Sequence, residues 1–177
     1  EPLADANLSL ATQEVAEGWN IAGAACLANE GTAVADTAAI TSANVKAKAI
    51  ATRKAVVDAK GEANVMLFST TAFAAMLEAA GASYTPIKND EVLTTARMGY
   101  WLGMLCIETS LFNEAEAKYY ANDGVLKTVD LTKSDMVAYN YEALSIIDNF
   151  NVARIVDSES FAGSLAQVDL NAGFTVT

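Results

Sequence analysis

Acidic side chains in the C-terminal third of the chain are the first candidates for chemistry. Asp130 and Asp135 flank the Thr-Lys-Ser segment 132–134, and two carboxyl groups so close in sequence could form an acid–base pair. Asp157 and Glu159 could bind a divalent cation if further ligands came from elsewhere. Such residues are also the usual formers of turns, and two carboxylates alone seldom complete a calcium site. We therefore predict no catalytic residue and no metal ligand.

The two cysteines offer no obvious chemistry either. Cys26 and Cys106 lie far apart in the chain, and the sequence contains no histidine. A Ser-His-Asp or Cys-His arrangement is therefore excluded within this chain. The sequence also lacks a Gly-rich phosphate loop, a Cys-x-x-Cys pair and a His-Glu-x-x-His motif. We interpret both cysteines as small apolar core residues of a protein made in a reducing cytoplasm, and we predict a non-enzymatic protein without a cofactor.

Length and hydropathy indicate one globular domain, or one domain with an appendage. The chain has 177 residues, of which 53% are hydrophobic. The longest apolar run, Met98 to Ile107, is well short of the roughly 20 residues that span a bilayer, so we expect no membrane contact. Because the chain begins with Glu1-Pro2 and not with Met, we expect a processed or truncated end.

Charge is strongly negative overall but unevenly distributed. The net charge is −11, which disfavours binding to a phosphate backbone by the chain as a whole. The first 45 residues carry six acidic side chains and no Lys or Arg, whereas Lys46, Arg53 and Lys60 then recur every seven positions. This spacing places the three on one side of a helix. They form either a solvated flank or an electrostatic seam that meets an acidic neighbouring subunit or nucleic acid.

Helical periodicity dominates the N-terminal half. The spacing of Leu8, Thr12, Val15, Trp19, Ala22 and Cys26 predicts a long helix from Leu8 to Asn29. Gly18 and Gly23 interrupt it, and each costs roughly 1 kcal/mol relative to alanine in a helix. We therefore expect another backbone, from a sheet or a neighbouring chain, to lie close to these glycines. The small, polar segment Gly31–Ala39 is predicted to be a linker.

A helix, a strand and another helix are predicted next. Thr41–Asn44 should cap the second helix, and Gly61 should end it. Val65–Phe68 is predicted to be a strand, and Ser69 should cap a third helix that ends at Gly81. The inward face of that helix is predicted to carry Phe73, Met76, Leu77 and Ala80.

Two adjacent tyrosines are the best candidates for contacts between subunits. The segment Asn113–Gly124 contains Tyr119 and Tyr120, and it ends in Asn-Asp-Gly, which is typical of a turn. We predict an excursion towards solvent. Tyrosines on a loop bury a large area at low entropic cost, so this segment and the basic residues Lys46, Arg53 and Lys60 are our predicted subunit contacts.

The C-terminal part has a distinctive order of short segments. Met136–Tyr139 is predicted to be a strand, and Arg154–Val156 is a second short apolar run. A closing strand is expected within the segment Ala162–Val176. Between the first two runs, the spacing of Ala143, Leu144, Ile146 and Ile147 predicts a short helix.

This order resembles the C-terminal part of HK97-like major capsid proteins of tailed bacteriophages. The resemblance rests on the pair Ala138-Tyr139, on Glu-Ala-Leu at 142–144, on Arg-Ile-Val-Asp at 154–157 and on a closing Ala-Gly-x-x-Val strand. Met-Leu-Phe-Ser-Thr at 66–70 is similar to the family's Leu-Val-Val-Ser-Pro, with threonine in place of proline. Gly99 and Gly103 fit a glycine-bearing run that carries the family's chain through a strand past a neighbouring subunit.

The resemblance implies an α+β fold with a long spine helix and a mixed sheet with flanking helices. Residues 1–37 would be the spine helix and the rest of the peripheral domain, 38–160 the axial domain and 161–177 a strand returning to the peripheral domain. The family's N-terminal arm and its long hairpin loop before the spine helix are absent from this sequence. We therefore expect these residues to be a truncated or proteolysed core.

The resemblance also implies a function. The chain would be a coat protein that assembles into hexamers and pentamers and forms an icosahedral shell around double-stranded DNA of a phage or prophage. Its partners would be copies of itself, portal and scaffold proteins and, non-specifically, DNA. It would be made in the cytoplasm of a bacterial host and end in the virion capsid. Encapsulin-like nanocompartments share this fold and are one alternative, and a small α+β ligand-binding domain with an acidic pocket is another.

Overall fold

The computed structural model describes residues 2–36, 38–87, 97–142, 144–157 and 164–176, with side chains described only between positions 9 and 142. Three helices and nine strands follow one another along this part of the chain. The helices are α1 (Pro2–Glu30), α2 (Val45–Asp58) and α3 (Thr70–Ala80). The strands are β1 (Val65–Phe68), β2 (Thr85–Pro86), β3 (Met98–Trp101), β4 (Met104–Glu108), β5 (Ala117–Tyr120), β6 (Leu126–Val129), β7 (Met136–Tyr139), β8 (Leu144–Asp157) and β9 (Ser164–Val176).

A mixed five-stranded sheet lies at the centre of the fold. Its strand order is β2-β3-β4-β1-β7, in which β1 runs parallel to β4 and every other neighbouring pair is antiparallel. The short apolar run of β1 occupies an interior position between β4 and β7, as expected for a strand that is covered on both faces. The predicted α+β class with a mixed sheet and flanking helices is confirmed.

Helices α2 and α3 cover one face of this sheet. Val45 and Ala49 of α2 are fully buried, and so are Phe73 and Met76 of α3. The sheet contributes alternate residues to this core, because successive side chains of a strand point to opposite faces. These sheet residues are Met66, Phe68, Trp101, Met104 and Cys106.

The C-terminal turns of α1 cover the other face. Leu67 and Val137 point to this side and pack against a second core. Ala24, Ala25 and Cys26 of α1 are buried in it. The hairpin of β5 and β6 and two short 3₁₀ turns complete it with Phe112, Ala117, Tyr119 and Leu131.

Strands β8 and β9 form a separate long hairpin that lies along α1. The pairing runs from Leu144 opposite Val176 to Asp157 opposite Ser164. The predicted helix over Ala143–Ile147 is therefore wrong from Leu144 onwards, and Ala143 itself lies outside the described residues. A short apolar run cannot distinguish a helix from a strand by periodicity, and long-range pairing with β9 decides this one.

The proposed boundaries at residues 37 and 160 fall on undescribed positions. The sequence placed β8 within the segment 38–160, but this strand pairs with β9 and does not join the five-stranded sheet.

The run from Met98, predicted as a single strand, is a hairpin. The segment Asn113–Gly124, predicted as a loop, contains the first strand of another hairpin. The run from Met98 folds back on itself at Leu102 and Gly103, whose φ angles are 52° and 77°. Glycine at the second of these positions suits the left-handed backbone that such a tight turn requires. The segment Asn113–Gly124 is not wholly a loop, since β5 lies within it, but the predicted turn at its end is confirmed by the bond from Gly124 N–H to the Ala121 carbonyl (2.8 Å).

The predicted cap and end of α3 are confirmed, whereas the predicted end of α2 needs correction. The Ser69 hydroxyl accepts the Ala72 N–H (3.2 Å), and Gly81 follows the helix with a φ of 48°. At the end of α2, Lys60 and not Gly61 takes the left-handed conformation, with a φ of 65°. The N–H of Gly61 bonds the carbonyl of Val56 (2.9 Å), as in a Schellman motif.

Helix α1 is longer than predicted, and its buried face differs at one position. Val15 and Trp19 are half-buried and Cys26 is buried, as expected, but Thr12 is exposed and Ala11 is half-buried beside this face. The side chain of Leu8 lies outside the described part of the chain.

The two glycines of α1 differ in their surroundings. Gly23 is buried, whereas Gly18 is exposed, and a Cβ atom at Gly18 would meet no atom within 4 Å. The alternative that a sheet of the same chain approaches Gly18 is therefore wrong, and the alternative of a neighbouring chain stays a prediction.

Candidate assembly surfaces

The basic residues of the second helix are only partly aligned. Lys46 and Arg53 are exposed on α2, and Lys60 is exposed two positions beyond its end. Within the described part of the chain, no ion pair involves any of the three. Lys48 is different, because its ammonium group contacts the Asp36 carboxylate (3.2 Å) and ties the linker to α2. Lys46, Arg53 and Lys60 are therefore available to a neighbouring molecule.

The two predicted contact tyrosines point to opposite faces of the β5–β6 hairpin. Tyr119 is only 3% exposed and belongs to the core, whereas Tyr120 is 62% exposed. Tyr120 lies opposite Leu126, which is 49% exposed, and Val125 beside it is 54% exposed. We call Tyr120, Val125 and Leu126 the hairpin patch. It presents three exposed apolar side chains near the tip of the hairpin, of which Tyr120 and Leu126 are cross-strand neighbours on one face.

Tyr119 fixes this hairpin to the end of α1. Its hydroxyl donates to the Glu30 carboxylate and accepts from the Asn29 side-chain amide (2.7 Å). The Lys127 ammonium group donates to the same Glu30 oxygen (3.2 Å). These bonds span about half of the chain in sequence, so no local pattern could have revealed them. They hold the hairpin patch in a defined place relative to α1.

The same bonds shift the pKa values of Tyr119 and Glu30. Burial, and then the hydrogen bond to the Glu30 carboxylate, raises the pKa of Tyr119 to about 12. The hydrogen bonds that Glu30 accepts from Tyr119 and then from Lys127 lower the pKa of its carboxyl group. At neutral pH Tyr119 is therefore a neutral phenol and Glu30 a carboxylate.

The acidic candidates for chemistry have local structural roles. The Asp130 carboxylate accepts the Thr132 N–H (3.1 Å) and thereby caps a 3₁₀ turn, and it pairs with Lys133 (3.3 Å). One oxygen of Asp135 accepts the Ser69 hydroxyl (3.3 Å). Glu159 and the side chain of Asp157 lie outside the described part of the structure. No group of three or more potential metal ligands occurs among the described residues.

Both cysteines are buried and free, as predicted. Burial raises the pKa of the Cys106 thiol to about 11, and burial also raises the pKa of Cys26. The thiols therefore stay protonated and unreactive at neutral pH. Their contribution is packing.

Residues 9–20 of α1 present a broad exposed surface. Glu14, Glu17 and Gly18 are exposed, and Leu10 is 56% exposed. Only one narrow face of this part of the helix, which includes Val15 and Trp19, is half-buried. A helix whose polar and small residues remain uncovered over several turns has room for a neighbouring chain.

Comparisons with known proteins return no relative. No protein family, no curated protein and no solved structure matches the chain. In the part of the chain that the structure describes, no helix is long and apolar enough to cross a membrane.

Proposed function

We propose that this chain is the structural subunit of an icosahedral shell, a major capsid protein of the HK97-like kind from a tailed phage or prophage. The observation that carries the proposal is that a long helix lies beside a long hairpin. Helix α1 has 29 residues, and the strands β8 and β9 have 14 and 13 residues. At 1.5 Å per residue α1 is about 43 Å long. A rod and a ribbon of this length beside a compact sheet suit a subunit that reaches across its neighbours.

Two exposed surfaces supply contacts for assembly. The hairpin patch offers an aromatic anchor in Tyr120 and two aliphatic side chains, a composition typical of interface cores. The basic surface of Lys46 and Arg53 is complementary to the acidic face of α1 that carries Glu14 and Glu17. Interfaces of roughly 800 Å² per partner, repeated around each subunit, make a closed shell stable through multiplicity.

The shell would enclose double-stranded DNA without reading its sequence. A net charge of −11 opposes tight contacts with phosphates, so retention of DNA follows from enclosure and not from affinity. On this proposal the chain is made in the cytoplasm of a bacterial host and ends in the virion, with portal and scaffold proteins as further partners.

Electron microscopy and light scattering of the purified full-length protein test the proposal. We expect closed particles, and we expect the Tyr120→Asp/Leu126→Asp double variant to remain folded by circular dichroism but dispersed. Thr128→Asp is the matched control, because Thr128 is exposed on the same hairpin outside the patch. A full-length protein that stays a small monomer at every concentration and ionic strength would contradict the proposal, whereas residues 1–177 alone are expected to form at most a weak oligomer.

The contents of the particles separate the two shell functions. Nuclease-resistant DNA inside them would support a capsid, and an enclosed protein without DNA would support an encapsulin-like compartment.

A further inference from the structure

A groove of about 720 Å³ runs beside β7, the edge strand of the central sheet. One wall is α2, with Ala51, Ala55 and Val56, and the opposite wall is the end of α1 with Leu27. The linker that joins the two helices closes the far side. The groove therefore lies between the two helical layers, with the sheet edge along its base.

The backbone of β7 leaves hydrogen-bonding groups free on this edge. The N–H of Ser69 donates to the carbonyl of Asp135 (2.9 Å), and the antiparallel register then directs the groups of Val137 and Tyr139 to β1. The N–H and C=O groups of Met136 and Ala138 consequently point away from β1. Within the described residues, no hydrogen bond engages them. An extended segment placed in the groove could pair with them as an added strand.

The rim of the groove is acidic. Glu62, Asp135 and Glu142 line it, and none of the three belongs to an ion pair in the described part of the chain. The two lysines that line the groove, Lys48 and Lys133, are each paired with an aspartate. The unpaired charge at the rim is therefore negative, and it favours a ligand that carries cationic groups. The side chains of Leu27, Ala55 and Val56 below the rim are apolar.

We propose that this groove binds an extended segment of a partner protein in which apolar residues alternate with Lys or Arg. Such a segment would add to β7 by main-chain hydrogen bonds, place alternate apolar side chains against the helices and direct its cations to the acidic rim. The inference goes beyond the shell function and does not depend on it, since it uses only one subunit.

The partner is a different protein because the described part of this chain offers no matching segment. Its long irregular segment, the linker 31–44, contains no Lys or Arg and carries Asp36. Its exposed Lys and Arg residues lie on α2, on paired strands or in the short 3₁₀ turn at Lys133, apart from Lys60 just beyond α2 and Arg97 next to β3. The described part of a second copy therefore offers no extended basic strand of the kind that the groove requires.

Fluorescence anisotropy with a synthetic probe tests the proposal on the intact protein. The probe is a labelled peptide of three Lys-Val repeats, and a Glu-Val peptide is its charge-reversed counterpart. We expect saturable binding of the Lys-Val peptide, weakened by salt, and binding of the Glu-Val peptide at least about tenfold weaker. A Lys-Val peptide with N-methyl groups on alternate amides should lose about tenfold, because it forfeits hydrogen bonds to the edge.

Variants of the protein locate the binding site. Ala138→Pro removes an N–H that faces the free edge and leaves the bonds of β7 to β1 in place, so we expect about a tenfold loss of affinity. Glu62→Gln with Glu142→Gln should weaken binding and flatten its salt dependence. Glu78→Gln is the matched control, since Glu78 is exposed on α3 and does not line the groove.

Several binding results would refute the proposal. Absence of saturable binding, equal affinity for the Glu-Val peptide, or binding that neither N-methylation nor Ala138→Pro reduces would refute it. If Ala138→Pro does not fold, the N-methylated peptide tests the same hydrogen bonds on the unaltered protein. Self-association through this groove without peptide binding would identify a second copy as the occupant and would also refute the proposal.

Discussion

Replacing Gly99 by alanine should destabilise the protein through a single contact with Tyr84. Gly99 is buried in β3, and a Cβ atom built on it would lie 2.3 Å from the Cζ atom of Tyr84 and 2.4 Å from its hydroxyl oxygen. Carbon atoms in contact are roughly 3.5–4.0 Å apart, so the tyrosine ring must move by about 1 Å or more. The glycine is thus required by the aromatic ring that lies across it.

The expected loss of stability follows from the contacts that the Tyr84 ring gives up when it moves. Tyr84 stands edge-to-face with Phe73, with ring centroids 6.0 Å apart, and such a pair is worth about 0.5–1.5 kcal/mol beyond its area. Overpacking of this kind costs about 1–3 kcal/mol, whereas alanine is intrinsically better than glycine in a strand by about 0.5–1 kcal/mol. We therefore expect Gly99→Ala to lower the free energy of unfolding by about 1–2 kcal/mol.

A double-mutant cycle measured by urea unfolding isolates this contact. In a Tyr84→Ala background nothing obstructs the new methyl group, so Gly99→Ala should there raise the free energy of unfolding by about 0.5–1 kcal/mol. The coupling energy should be about 2 kcal/mol, within the range for residues in contact. Tyr100→Ala is the control, since Tyr100 is 53% exposed on the same strand. Additive effects of the two substitutions, or a neutral Gly99→Ala, would refute the reasoning.

Four further substitutions should change stability, and urea unfolding measures each of them. Lys60→Gly should stabilise the protein by about 0.5–1 kcal/mol, because Lys60 holds a left-handed φ of 65°. Gly61→Ala should destabilise the protein, since the new Cβ would lie 3.0 Å from Cγ1 of the Val56 side chain. If Lys60→Gly destabilised the protein and Gly61→Ala stabilised it, the left-handed end of α2 at Lys60 would be contradicted. Tyr119→Phe should cost about 1 kcal/mol at neutral pH. Because the pKa of Tyr119 is raised from 10.0 to about 12, its contribution is fully present below pH 10 and lost as pH rises towards 12, and Tyr119→Phe should flatten this alkaline decline. Gly18→Ala should stabilise the dispersed chain by about 1 kcal/mol, because the site is an exposed helix interior with no atom near the new methyl group; a loss of stability would show an unrecognised contact at this position.

Local signals in the sequence located most helices and several turns correctly. The Ser69 cap, the Gly81 terminus and the turn at Gly124 depend on the hydrogen-bonding and backbone properties of single residues, which sequence reveals directly. The burial of Phe73 and Met76 likewise follows from helical periodicity.

Other features escaped sequence reasoning because they depend on partners distant in the chain. The apolar run at Leu144–Ile147 fits a helix as well as a strand, and pairing with β9 determines its conformation. Tyr119 and Tyr120 are identical in type, and only the packing of β5 against α1 decides which one is buried.

By itself the sequence determined an acidic, histidine-free α+β chain with a long N-terminal helix, a short apolar strand at Val65–Phe68 and two buried cysteines. These properties follow from composition and short-range periodicity, to which each residue contributes independently of the rest of the fold. The tertiary structure alone decided that Tyr120 joins an exposed apolar patch, that Glu30 fastens the β5–β6 hairpin, and that an acidic groove opens along β7. Surfaces and grooves of this kind arise where elements distant in sequence meet, and their physical basis is long-range packing and strand register, neither of which a local pattern of residues specifies.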